Sequence, residues 1–459
     1  MKKLYFNKFI FIGLMGLLFF IVFISILVHK NIRPDLNSID RVKKTGKLRL
    51  ITTNSINTYY YYNGQPAGFE FDLAAEFAKF LNADLDITTP GFNNLFSCLK
   101  QGKGDFIAAG LAITSERLEK VSFSLPYMSI QQHIVHHNLV FGPKNIEDLA
   151  FRTIHVRRGT SYHLRLEEIK NSGIDFNYIL HDNIPTDKLI KMVYDRQINF
   201  TVADNNIAYL NRRYYPDIKI GIPLHKKESL AWAVNKNDPE MLEQTNKFFL
   251  FANETGLLTK LSDKHFANIE NSDAYDLKKF HQWIKTRLPK YKNTIIETSI
   301  KYGFDWKLIA AVVYQESHFD PNAESFTNVR GLMQVTTDTA QEMGIKNRLS
   351  PTQSILAGIK YLDKMKHKFD YIEDDYERIL FALASYNVGY GHVKDAMQIV
   401  KEMGQDETKW RNLKKALPFL SRSKYYKKTR HGYARGWEPV QYVDRILTYF
   451  DILKQKEIY

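Results

Sequence analysis

Glu316 closes a run of apolar residues, and a carboxylate in that place can do chemistry. The stretch AAVVYQESHFDPNAES, residues 310–325, begins as an apolar helix and ends in a polar turn. A buried carboxylate is costly unless it is paired or protonated. Burial against apolar walls raises its pKa until it can donate a proton near neutrality. Breaking a glycosidic bond needs such a donor, because the leaving oxygen must be protonated. Ordinary glycosidases place two carboxylates about the bond. Asp320 and Glu324 lie close in sequence, but DPNAES reads first as a turn with capping side chains. The bland alternative for Glu316 is an ion-paired structural glutamate.

The elements that must position this residue follow from the local pattern. Asp305 is a fitting N-cap for a helix beginning at Trp306. Ile309, Val312 or Val313, and Glu316 then share one face at helical spacing, with Glu316 at the edge of the buried stripe. Pro321 marks the exit of the chain. From His281 onward the sequence is helical in pattern, punctuated by Gly, Pro and Asn. Residues 285–459 are therefore expected as an all-α module. Residues 39–267 instead alternate β-like runs such as LRLITT (48–53) and DFIAAG (105–110) with helices such as FDLAAEFAKFLN (71–82). Such alternation implies an α/β domain with a largely parallel sheet. The polar stretch NIENSDAYD opens an expected linker, residues 268–284.

Residues 1–30 place Lys2, Lys3 and Lys8 before an unbroken apolar run from Phe9 to Val28. That is long enough for a membrane anchor, and no A-x-A site marks cleavage, although a cleaved signal peptide remains the alternative. The lysines favour export of everything that follows. The net charge of +14 attracts polyanions, and export argues against nucleic acid as the partner. The most concentrated basic stretch is SRSKYYKKTRHGYARGW, residues 421–437, where cations alternate with tyrosines. It suits an anionic, stackable polymer, or is a solvated loop. Cys98 is the single cysteine, so no intramolecular disulfide forms. Among Leu95, Phe96 and Leu99 it reads as a buried, inert thiol.

Three more stretches join QES: GLMQVTTDTA (331–340), ALASYNVGYGHV (382–393) and EPVQYV (438–443). Together they resemble the goose-lysozyme-like domain of lytic transglycosylases, over roughly residues 288–453. The resemblance implies that Glu316 is the catalytic acid and that Ser317 offers a positioning hydroxyl. It implies groove contacts from Met333, Gln334, Tyr386, Asn387, Glu438 and Tyr442, and no metal or cofactor. Asp338 stands near the place where the family usually has a proline, at a helix start. The implied substrate is peptidoglycan, cut at the MurNAc–GlcNAc β-1,4 bond with a 1,6-anhydromuramyl product. A lysozyme-like hydrolase and a non-enzymatic receptor are the rival functions.

The first module resembles periplasmic solute-binding proteins of the amino-acid type. The matching stretches are GFEFDLAAEFAK (68–79), LKQGKGDFIAAGLAITSERLEKVSFSLPY (99–127), VRRGTSY (156–162), VADN (202–205) and AVNKNDPEMLEQTNKFF (233–249). That family has two α/β lobes closing on a ligand. Its carboxylate-gripping arginine and threonine fall on Arg117 and Thr114, its ammonium-binding acid on Asp204, and an anion-favouring helix N-terminus on Thr160. The implied ligands are amino acids or wall-derived peptides. The TYYYYNG run (58–64) can stack on a ligand or pack a lobe. The whole arrangement resembles the membrane-bound lytic murein transglycosylase F group. It implies a membrane-attached periplasmic protein, at the outer membrane by family and at the inner one if the anchor is uncleaved.

Overall fold

The computed structural model describes residues 38–62, 64–266, 273–325 and 328–455. The apolar run expected as a signal or anchor lies outside the described residues. Among the described residues, no helix is long and apolar enough to cross a membrane. The chain divides into two units. The first contains the chain up to Thr53, Glu70–Tyr127 and Leu230–Glu254; the second contains Asn54–Phe69, Met128–Ser229 and Thr255–Tyr459.

In the first unit a five-stranded sheet runs in the order Asp84–Thr88, Lys47–Ile51, Phe106–Ile107, Ala233–Val234, Ser122–Phe123. Side chains alternate across a strand, and both faces here are covered. Ile51 and Ile107 pack with Leu95, Leu99 and the buried Cys98 on one side. Phe106 meets the rings of Phe77 and Trp232, which also pack with Phe248, on the other. Glu70 is buried in this unit. It accepts hydrogen bonds from Trp232 Nε1 at 2.8 Å, Gly110 N at 2.7 Å and the Tyr127 hydroxyl. Burial pushes its pKa up, with these bonds pulling the other way. Its role is to hold the turn that leads to Thr114.

The second unit opens with an α/β part. Its sheet runs Asn177–His181, Thr153–Arg157, Phe200–Asp204, Gln132–His137, Ile218–Pro223. The first three strands are parallel and the remaining pairings antiparallel. The first unit's sheet is mixed in the same way. The largely parallel sheet expected from βαβ alternation is thus a correction. Strands that enter a sheet outside such a crossover are not bound to its direction.

The helical part of this unit is built around the helix Trp306–Ser317, packed against Trp437–Gln455 and Lys292–Lys301. Leu308 to Tyr314 are all buried. A helix apolar on every side is a core helix, so the expected one-sided stripe is replaced by complete enclosure. The second half of the expected linker 268–284 is helical. Asp273 caps the helix Ala274–Thr286, accepting from Tyr275 N at 2.9 Å, and Leu277 and Phe280 enter the helical core. Asp276 accepts hydrogen bonds from Tyr314 at 2.9 Å and from Tyr449.

Within the second unit the α/β and helical parts are joined by polar contacts. Arg213 pairs with Asp451 at 3.0 Å, and its carbonyl accepts from His281 Nε2 at 2.8 Å. Tyr62, from the TYYYYNG run, donates to Asp305 Oδ2 at 2.6 Å and receives a bond from Lys307 at 3.2 Å.

Candidate active site

The helix that carries Glu316 is fixed at both ends. At its start, Asp305 Oδ1 accepts from Lys307 N at 2.9 Å while Oδ2 holds Tyr62. At its end, His318 and Phe319 take left-handed backbone angles, φ 53° and 57°. Each such residue costs roughly 1–2 kcal/mol. The burial of Phe319 and a bond from Arg287 Nη1 to the His318 carbonyl at 3.1 Å offset it. The chain therefore turns sharply just after Glu316, leaving its side chain at the mouth of the core.

Glu316 is half-buried, so it keeps an opening to solvent. Its surroundings nevertheless raise its pKa to about 7. Desolvation is the cause, and a hydrogen bond from the Tyr442 hydroxyl to Oε1 at 2.5 Å opposes it. Among the described residues no second carboxylate contributes to the shift. Tyr386 shares the neighbourhood: burial and the negative charge of Glu316 raise its pKa, and the same two causes lead for Tyr442. Tyr386 donates to the Met333 carbonyl at 2.7 Å. The arrangement can hold a proton at neutral pH, release it, and take one back.

The other expected groove residues fall in different places. Asn387 is exposed, beside Tyr386 at the end of the helix Asp375–Val388. The Ser317 hydroxyl donates to the Val313 carbonyl at 3.1 Å, within its own helix. Met333 has its side chain fully buried against Gly358, and its carbonyl accepts from Tyr386. Gln334 adopts φ 45° and turns back, donating to the carbonyls of Ala323 at 3.0 Å and Gly331 at 2.9 Å. It braces the loop after Glu316. Gly331 has φ 97°, and a Cβ there would stand 2.7 Å from the Arg348 carbonyl oxygen, so only glycine fits. Glu438 pairs with Arg435 at 3.0 Å. Asp320 accepts from Asn322 N at 2.9 Å, and Glu324 pairs with Arg330 at 2.9 Å, so both serve the turn. Asp338 lies in the first turn of the helix Thr337–Glu342, capped by Thr336. Sequence reasoning missed Ser354, whose hydroxyl accepts from Met333 N at 3.1 Å; no motif marks it.

In the first unit Thr114 caps the helix Ser115–Lys120, and Arg117 is buried, donating to the Ala112 carbonyl at 2.9 Å. In the second, Thr160 caps Ser161–Asn171 and donates to the Arg157 carbonyl at 2.7 Å. Asp204 is buried at a strand end, its backbone N–H donating to the Tyr162 hydroxyl at 3.2 Å.

Residues 293–409 match the family model of the transglycosylase SLT domain, and residues 48–268 that of bacterial extracellular solute-binding proteins, family 3. Over 425 residues the chain is 49% identical to the membrane-bound lytic murein transglycosylase F of Desulfosudis oleivorans, spanning 93% of this chain and 94% of that one. The same-named protein of Pseudomonas fluorescens is 37% identical over 420 residues, 91% of this chain and 86% of that one. Among solved structures, an ancestral arginine-binding protein bound to arginine covers 48% of this chain and 98% of its own at 28% identity, with a TM-score of 0.45. The chain is a peptidoglycan-degrading lytic transglycosylase with a solute-binding-protein-like domain ahead of its helical domain. It belongs to the membrane-bound lytic murein transglycosylase F family.

Proposed function

We propose that Glu316 alone carries the proton transfers of murein cleavage. Protonated, it gives its proton to the oxygen of the MurNAc–GlcNAc β-1,4 bond as that bond breaks. The muramyl C6 hydroxyl then closes on C1 of the same sugar while the Glu316 carboxylate takes its proton. The product is a 1,6-anhydromuramyl end, and no water is consumed. An internal nucleophile already held near its target gains from orientation. The observation that carries this reading is a carboxyl at the mouth of an apolar core, raised to about 7 by desolvation and hydrogen-bonded by the Tyr442 hydroxyl. The match of residues 293–409 to the transglycosylase SLT domain and the 49% identity to a lytic murein transglycosylase favour it over a hydrolase. Tyr442 orients the acid, Tyr386 and Asn387 face the substrate, and Gln334 and Glu438 shape the groove. Products ending in anhydro sugars support the reading, and products heavier by one water sink it.

The apolar run Phe9–Val28 supports membrane attachment with both domains in the periplasm, and the outer membrane is the favoured address. The solute-binding-like domain binds an amino acid or a short wall peptide: in the first unit Arg117 with Thr114 suits a carboxylate, and in the second Asp204 suits an ammonium and the helix N-terminus at Thr160 an anion. The family match over residues 48–268 and the burial of Arg117 and Asp204 support this. A ligand can act on the enzyme only through a difference in affinity between two of its states. Calorimetry with wall peptides should show binding by the wild type that Arg117→Ala weakens at least tenfold, roughly the loss of one charge-assisted hydrogen bond. No binding by the wild type, or equal binding by both, would leave the domain a spacer.

A further inference from the structure

Residues 422–436 form a strap between the short turn Leu417–Ser421 and the helix Trp437–Gln455. Arg422, Lys424, Lys427, Lys428 and Arg430 are exposed on it. Among the described residues, none of these five makes an ion pair with an acidic group; Arg422 and Lys424 lie instead over the Phe419 and Tyr425 rings, at 4.9 and 5.8 Å. The aromatic side is equally open: Tyr433 is 57% and Trp437 48% exposed. Tyr425 is locked below, stacked on Phe419 with ring centroids 4.7 Å apart.

The strap is pinned to the helix Tyr390–Glu402 and runs into the helix Trp437–Gln455, which carries Tyr442. At one point His431 is held by Asp395, through its backbone N at 2.8 Å and Nδ1 at 3.1 Å. Its ring lies so close to Gly391 that a Cβ there would stand 2.6 Å from His431 Cδ2. Gly391 is the second residue of the helix Tyr390–Glu402, which comes next after the helix Asp375–Val388 that carries Tyr386 and Asn387. At its other end the strap runs into the helix whose Tyr442 reaches Glu316. With a rise of 1.5 Å per residue, Tyr442 is about 9 Å along that axis from the strap's last residue. The strap thus leads straight into the helix that reaches Glu316, and its exposed cations favour anionic groups that meet it.

We propose that the strap is a separate binding site of the enzyme, one that reads the carboxylates of the peptides borne by muramyl residues. The cations hold the peptide carboxylates while Tyr433 and Trp437 support the adjoining sugar or peptide face. The five cations form an anion-binding edge that a stripped strand, left with a single short lactyl carboxylate on each muramyl residue, would use less than one whose peptides carry several carboxylates farther from the sugar. Peptide-bearing strands are thereby preferred over bare ones, through binding and not through the bond-breaking step. The proposal rests on cleavage at Glu316.

The test compares two substrates, murein strands with their peptides and the same strands stripped by an amidase. In the triple variant Lys424→Ala, Lys427→Ala, Lys428→Ala, KM for peptide-bearing strands should rise about tenfold, the order expected for removing three exposed charges together. Values of kcat and of KM for stripped strands should stay within twofold. The wild type's preference should also fade with added salt, and the triple Arg variant should restore it. An equal rise in KM on both substrates, or none on peptide-bearing strands, would overturn the proposal. So would a loss of kcat on both, which would make the strap a brace for the catalytic helix. Failure of the Glu316 reading is distinguishable, since it would appear as normal turnover by a folded Glu316→Gln protein whatever the strap does.

Discussion

Glu316→Gln should lower kcat on murein by about 10²–10⁴-fold, the range for removing a general acid and base. The amide keeps the volume and can still accept the bond from Tyr442, but it has no proton to give at the glycosidic oxygen. KM should change little, because the groups that hold the strand are elsewhere. The comparison requires a folded variant, checked by circular dichroism. Near-normal turnover by such a protein would remove Glu316 from the mechanism.

The same substitution should stabilise the protein, and do so increasingly as pH rises. The folded-state pKa of about 7 lies above the ordinary 4.5 because desolvation penalises the charged carboxylate. Between those two values the unfolded chain has lost its proton while the folded one retains it. Stability contributed by Glu316 therefore falls as pH climbs from about 4.5 to about 7, then stays low. At pH 8 the deficit approaches about 3 kcal/mol, an upper figure from a gap of roughly 2.5 pKa units. The glutamine amide of the variant never ionises and escapes it. Urea unfolding of both proteins at pH 4 and pH 8 should give matching midpoints in acid and a higher midpoint for the variant at pH 8. A gap that ignores pH, or one that closes as pH rises, would mean that Glu316 is not held in a desolvating site.

Much of this site was legible in the sequence. QES, SYN and EPVQYV put Glu316, Tyr386 and Tyr442 in view, and the structure brings all three to one place. The enclosure of the helix is legible too, once LIAAVVY is taken as apolar on every side and not for its best face. Met333 was not. Its burial depends on Gly358 in a distant helix, which leaves a space that the thioether fills. Ser317 looked free to reach the groove, but a serine near a helix end readily bonds the carbonyl four residues back. Asp276 was hidden for the opposite reason. Polar neighbours made it look like linker, while its partners Tyr314 and Tyr449 lie far along the chain. The mixed direction of both sheets was beyond the pattern, since strands as short as Ala233–Val234 carry no signal for it.

The reaction's central feature is that the substrate supplies its own nucleophile. Digestion of murein in oxygen-18-labelled water, followed by mass spectrometry of the muramyl ends, measures this without a variant. The account predicts 1,6-anhydromuramyl ends that carry no label, because no solvent oxygen enters the bond that forms. Labelled reducing ends, heavier than the anhydro product by one water, would contradict it and assign the chain to hydrolysis with a second group activating water.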